Sequence, residues 1–147
     1  EILLMLGRKN AVAGGALLSE LAKQLCDWGA GIVALKLGDQ GLYVRWEKRE
    51  LLAPCFQVNV VGTTGSGDCT IAGFLAGLLR GLSPEEVMTS AVAVGACCCE
   101  KADATSGVPT WEVVRKRISA GWKRRPVTLP LPDWQWDKNL NLWRKES

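Results

Sequence analysis

Histidine is absent from the 147 residues, and that removes two chemistries at once. A serine nucleophile needs an imidazole base, so the turn around Ser66 is not a hydrolase elbow; Thr64 and Asp68 also stand where that motif needs glycine. A metal centre built on imidazole is equally unavailable, and no CxxC pair offers a thiolate substitute. The six cysteines are Cys26, Cys55, Cys69 and the consecutive Cys97, Cys98 and Cys99. On a helix, successive side chains fan out by roughly a quarter turn each and do not converge on one ion. Buried thiols are the expected state. No apolar run reaches the roughly 20 residues of a membrane helix. The longest, near 69–79, suits a buried core helix instead.

What the chain does have is glycine, and its densest turn organises the rest. Val58, Val60 and Val61 lead into Gly62-Thr63-Thr64-Gly65-Ser66-Gly67, and after Asp68 an apolar, helix-like stretch begins. The first N–H groups of a helix lack intrahelical acceptors and lie at the positive end of its dipole, so a turn with little side-chain bulk there cradles an anion. Phosphate is the natural guest. Two common phosphate loops fail on inspection. A Walker loop requires Gly-Lys-Ser/Thr, whereas Asp68 follows Gly67; a dinucleotide fingerprint requires Gly or Ala where Thr70 stands. Asp68 adds chemistry. Its anion is stabilised in the first helical turn, beside N–H groups able to hold a transferring phosphoryl group, so base and oxyanion holder would be neighbours. On chemistry alone it reads equally well as a helix cap.

Gly62 to Asp68 resembles the DTxGAGD signature of the ribokinase-like carbohydrate kinases, the phosphofructokinase B family. Lys36-Leu37-Gly38-Asp39-Gln40-Gly41 resembles the family's TLGxxG strand-turn, and Ala102 to Pro109 resembles a later loop, in matching order over residues 15–118. The resemblance implies an α/β fold, the C-terminal half of a ribokinase-like (Rossmann-like) αβα sandwich. It implies ATP- and magnesium-dependent phosphorylation of a sugar or sugar-like hydroxyl, in the cytoplasm. Asp68 is then the base that takes the hydroxyl proton, and the N–H groups of Gly65, Ser66 and Gly67 form the anion hole. Lys36, Gly38, Gly41 and Thr64 fall to the ATP side. The signature's first Asp, which in the family helps to hold a monovalent cation, is Gly62 here, so potassium activation is not expected. No metal ligand is assigned: Glu1 is a candidate end of the family's NxxE motif, but the positions before it are missing. The loop 103–107 is expected to close the nucleotide site.

With 48% hydrophobic residues, the length suits one domain and a tail. Residues 1–118 are expected to form the nucleotide-binding and catalytic part, and 119–147 a basic Trp/Pro-rich tail packed on it. Family members are longer and carry their sugar-contacting lid in an N-terminal half, so this chain, opening into a helix-like Ile2 to Leu6, is expected to be a C-terminal portion, inactive alone. Residues 16–28 have the periodicity of an amphipathic helix with Leu17, Leu18, Leu21, Leu25 and Trp28 inward. The apolar run 32–37 suits a strand buried on both faces of a parallel, doubly wound sheet, and 42–46 alternates like a half-buried strand. A second helix is central and apolar nearly all round over 66–80. A third opens with Ser83-Pro84-Glu85-Glu86, a capping box, and a short one follows Thr110. The stretches 134–136 and 140–142 suggest a hairpin capping the core.

Residues 115–147 hold nine Lys/Arg against three acids, whereas 1–114 hold nine against twelve. Tryptophans among such a basic tail can mark a nucleic-acid surface, but the interspersed prolines and hairpin pattern favour packing on the core; neither nucleic acid nor membrane is an expected partner. Partners are ATP and a sugar, with a homodimer of the full-length protein compatible. The alternative to a kinase is a catalytically silent structural or interaction module that keeps the fold.

Overall fold

A computed structural model describes residues 14–145, so the helix-like Ile2 to Leu6 and Glu1 lie outside the described residues. The elements run α1 (Gly15–Asp27), β1 (Ile32–Lys36), a 3-10 turn (Gly38–Gln40), β2 (Leu42–Trp46), β3 (Arg49–Ala53), α2 (Ser66–Leu79), α3 (Pro84–Cys99), α4 (Trp111–Ser119), β4 (Gln135–Asp137) and β5 (Leu142–Lys145). The strands form a five-stranded sheet in the order β1-β2-β3-β5-β4. Every pairing in it is antiparallel, which corrects the parallel sheet expected from residues 32–37. Two tight connections, at 37–41 and 47–48, fold β1, β2 and β3 into a meander. The tail hairpin then adds β5 to the edge of β3 rather than merely capping the core.

Helices cover both faces, giving the αβα layering. One face carries Val33, Leu35, Tyr43 and Leu52, packed against Leu18, Leu21 and Ala22 of α1 and against Trp134. The other carries Leu42, Val44, Leu51 and Ala53, packed against Val87, Met88, Ala91 and Val94 of α3. Period-2 alternation explains the split, since residues i and i+2 of a strand share a face. β2 is buried on both faces and not half-buried as its alternation suggests. β1 is the reverse: Ile32, Ala34 and Lys36 stay exposed, on the face opposite Val33 and Leu35.

α3 is the innermost helix, with eleven buried residues against four in α2. Gly73 and Gly77 of α2 lie against Ala91, Val94 and Val87 of α3, where added Cβ atoms would meet neighbours at 3.0–3.1 Å. That seam accounts for the small residues in α2. Its opposite side is open, with Leu79 88% exposed and Ile71 and Leu75 also exposed, so the expectation of a helix wrapped all round is corrected. Trp28 is likewise exposed, at the C-terminal end of α1. Among the described residues no helix is long and apolar enough to cross a membrane.

A buried carboxylate ties the first face together. Glu50, 4% exposed, accepts hydrogen bonds from Ser19 Oγ of α1, from Tyr43 Oη at 3.1 Å and from Arg45 at 2.8 Å. Burial and the Glu50 charge push the Tyr43 phenol well above its ordinary pKa, so it donates rather than ionises.

Candidate active site

α2 begins at Gly65, whose φ of 75° lies in the left-handed region, and no side chain caps the turn. A Cβ at Gly65 would also stand 2.6 Å from Ala104 Cβ, so both backbone conformation and space require glycine. The Ser66 N–H, one of the three expected anion-hole donors, already donates to Thr63 O at 3.2 Å. The next N–H groups, of Gly67 and Asp68, have no acceptor among the described residues, nor has that of Gly65. A helix start therefore presents open donors, as the glycine turn implies.

Lys36 is aimed at this turn. A Cβ at Gly67 would lie 2.8 Å from Lys36 Nζ, so the ammonium rests over the first turn of α2 instead of reaching away from the sheet end. Two positive features thus face the same space, the helix dipole and a lysine. That space is a cavity of about 380 Å³ lined by Lys36, Gly38, Gly41, Ser66 and Gly67, with Arg125 and Asp39 at its other side. Arg125 pairs with Asp39 at 3.5 Å. Cys55 and Cys99 line it too, and burial raises both thiols above their ordinary pKa. They stay neutral and do not repel an anion.

The structure therefore gathers Lys36, Gly38, Gly41, Ser66 and Gly67 around one cavity, while Thr64, Gly65 and Asp68 are not part of its lining. Thr64 is exposed and accepts a weak bond from Cys98 Sγ through its carbonyl; Thr63 lines the cavity instead. Gly41 is glycine for an internal reason: a Cβ there would fall 2.1 Å from Ala53 O. Asp68 is exposed in the first turn of α2, and no donor among the described residues binds its carboxylate. A capping role would have used it. The loop expected to close the site packs on the glycine turn from behind: Ala104 abuts Gly65, and Cys69 Sγ donates to Ala104 O at 3.2 Å. Asp103 holds that loop in shape by accepting from Ser106 Oγ and from the N–H groups of Ser106 and Thr105, and these bonds lower its pKa to about 2.

Sequence reasoning missed Arg125 and Thr63. Arg125 reaches the cavity because its N–H bonds Cys55 O at 2.7 Å, a contact across 70 residues with no local signal. Thr63 was beside Thr64, and only the turn's curvature separates them.

Residues 1–111 match the family described as pfkB family carbohydrate kinase. A sugar kinase of uncharacterised specificity from Archaeoglobus fulgidus is 40% identical over 88 residues, 60% of this chain and 35% of that protein. The 2-dehydro-3-deoxygluconokinase of Bacillus subtilis is 36% identical over 93 residues, 63% of this chain and 29% of that protein. Among solved structures, Thermotoga maritima ribokinase superposes with a TM-score of 0.62 at 30% identity, covering 68% of this chain and 34% of its own. Arabidopsis thaliana ribokinase, solved with ribose and ATP, gives 0.65 at 26% identity, covering 69% and 33%. The chain spans about a third of the length of these relatives. With the matched segment covering three quarters of its residues, the chain belongs to the pfkB family of carbohydrate kinases.

Proposed function

We propose that this chain supplies the ATP-binding and catalytic-base part of a sugar kinase that transfers the γ-phosphate of ATP to a substrate hydroxyl. The observation that carries the reading is Lys36 standing over the open first turn of α2 with an uncommitted carboxylate, Asp68, in the same turn. The cavity fits the nucleotide end of the reaction. Its volume is in the range of small-ligand sites, about 300–1,000 Å³, and its charged lining, Lys36 and Arg125 against Asp39, is net positive.

In the proposed reaction, Asp68 accepts the proton of the sugar hydroxyl as its oxygen attacks the terminal phosphorus, and the bond to the ADP oxygen breaks. The N–H groups of Gly67 and Asp68, with Lys36, hold the negative charge on the transferring group. Such donors cost no reorganisation during the reaction because the turn already fixes them. Magnesium would arrive with the triphosphate, since among the described residues no cluster of carboxylates or thiols gathers to hold an ion. The full-length protein acts in the cytoplasm on this reading, with the sugar held by parts of the fold beyond the described residues.

The test uses the full-length kinase with Asp68→Asn. Calorimetric titration with magnesium-ATP should give unchanged affinity, while ADP release over a panel of aldoses, ketoses and sugar acids falls at least about a hundredfold, the usual share of a positioned base. Near-normal turnover sinks the role of Asp68. The second reading, a silent module, is favoured by one departure, Gly62, and predicts that no nucleotide binds at all.

A further inference from the structure

The reverse side of the cavity wall carries a second concavity, unrelated to the helix start. It has a volume of about 560 Å³ and lies between the segment Trp122 to Arg124, Thr89 of α3 and the hairpin residues Trp136 to Asn141. No acidic residue lines it. Asp137, next to its rim, is committed elsewhere: it accepts from the N–H groups of Asn139 and Leu140 and faces Arg144 at 3.8 Å.

Arg124 is the anomaly. The neighbouring arginines are each matched with a carboxylate, Arg115 with Glu86, Arg117 with Glu100, Arg125 with Asp39 and Arg144 with Asp137. Arg124 has none among the described residues; it donates to Pro54 O at 2.9 Å and Thr89 Oγ1 at 3.0 Å and lies 3.9 Å over the Phe56 ring. Burial without a counter-ion lowers its pKa to about 10. A guanidinium has five donors, and only two are taken here. Desolvating a cation without an anion is costly, and the cost is offset when an anion enters. Lys123, exposed at the mouth, adds a second positive charge.

The remaining walls specify a body for that anion. Trp122 is spent, sandwiched between Arg117 at 3.6 Å and Phe56 at 4.3 Å. Trp136 is 37% exposed and meets Trp143 edge to face, so it offers a flat apolar surface. The amides of Asn139 and Asn141 line the concavity beside it, while the Gln57 amide N–H is already given to Arg124 O at 3.0 Å. An apolar platform with scattered amides suits a hydroxylated ring, and paired cations suit phosphate.

We propose that this concavity is a binding site for a phosphate monoester carried on a sugar or nucleoside body, and that its occupant regulates the kinase. The wall supplies the coupling. Phe56 and Arg124 form a β-bridge, flanked by Gln57 N–H to Lys123 O at 2.9 Å and Arg125 N–H to Cys55 O at 2.7 Å. Phe56 lines both cavities, and Arg125 faces the first while Arg124 faces the second. A ligand that draws Arg124 outward shifts a strand whose next residue holds Asp39 beside the proposed ATP cavity. The regulatory half of the proposal rests on the kinase reading; the binding half does not.

The experiment titrates full-length protein with ribose 5-phosphate, with AMP and with inorganic phosphate, reading heat and tryptophan fluorescence. At least one ester should bind with a dissociation constant below about 1 mM, and inorganic phosphate at least about tenfold more weakly, since it lacks the stacking body. The exposed rim variants Lys123→Glu and Asn141→Asp should each weaken that ester by about tenfold or more while magnesium-ATP affinity stays unchanged. Which ester binds distinguishes a sugar phosphate from a nucleotide source. The binding claim is overturned if neither ester binds at about 10 mM, if both rim variants bind normally, or if inorganic phosphate matches the esters. The regulatory claim is overturned if a bound ester leaves turnover and ATP affinity unchanged. Binding is scored without turnover, so failure of the kinase reading leaves it standing.

Discussion

The helices α2 and α3 lie side by side, and their first turns are built on contrary principles. In α3, Ser83 Oγ accepts the Glu86 N–H at 3.4 Å, Glu86 returns the favour to the Ser83 N–H at 3.2 Å, and Pro84 at the first position has no N–H to satisfy. In α2 the cap is Gly65, which has no side chain, and the carboxylate of Asp68 occupies the place that Glu86 occupies in α3, three residues past the cap. One start satisfies its donors internally; the other leaves them open beside Lys36. An open helix start forgoes about 1 kcal/mol of capping energy. On the proposed function, the triphosphate completes this turn, whereas the neighbouring cap needs no ligand.

Exchanging charge at the two equivalent positions gives the largest separation. Asp68→Asn should cut turnover of the full-length kinase at least about a hundredfold and change stability by no more than about 1 kcal/mol, the dipole contribution of an exposed anion. Glu86→Gln should leave turnover within about twofold, because it touches no reacting group. Equal losses in both variants would erase the distinction. Next in size is Gly65→Ala, which forces a left-handed φ on alanine and drives its Cβ into Ala104. About 2 kcal/mol of stability should be lost, together with magnesium-ATP binding, as followed by urea unfolding and calorimetry. Unaltered stability would mean that the turn is less constrained than its geometry states.

The contrast was partly legible in the residues themselves. Ser83-Pro84-Glu85-Glu86 announces its capping box because the partners are three residues apart, and the hairpin of the tail shows in its alternation about Asp137 to Asn139. The glycine turn likewise announces a helix start. Long-range geometry was not legible. An apolar run such as 32–37 is compatible with parallel or antiparallel neighbours, and only the pairing of β1 with β2 decides. The apolar outer side of α2 gives no sign in sequence that Ile71, Leu75 and Leu79 stay uncovered. Lys36 looks like a strand-end lysine until Gly67 is seen beneath its ammonium. Glu50 could have been anticipated, since a two-residue turn at Glu47 and Lys48 sets Arg45 opposite it, a cross-strand ion pair.

Lys36→Met sharpens the comparison on the α2 side. Losing the ammonium should raise the KM for ATP about tenfold, the loss expected from one charge-assisted contact, with stability unchanged because the side chain is exposed. The matching change on the α3 side is Ser83→Ala, expected to cost about 1 kcal/mol of stability and nothing in ATP affinity. Steady-state kinetics and urea midpoints measured on both variants should give opposite patterns. A Ser83→Ala protein with weakened ATP binding would show that α3's cap also serves the site.

The smallest effect is a pH dependence at the start of α3. Hydrogen bonds from Ser83 hold the Glu86 carboxyl below its ordinary pKa, with Arg115 helping less. A carboxylate whose folded pKa is depressed adds stability above its unfolded value, near pH 4.3, and that stability is lost as pH falls through the folded value. Wild type should therefore exceed Ser83→Ala by a constant margin at neutral pH, and the margin should narrow below about pH 4 as Glu86 takes up a proton. Urea midpoints of the two proteins between pH 3 and 7 provide the measure. A margin that holds steady to pH 3 would mean that the serine hydroxyl caps the helix without help from the Glu86 charge, leaving α3 with half of its box.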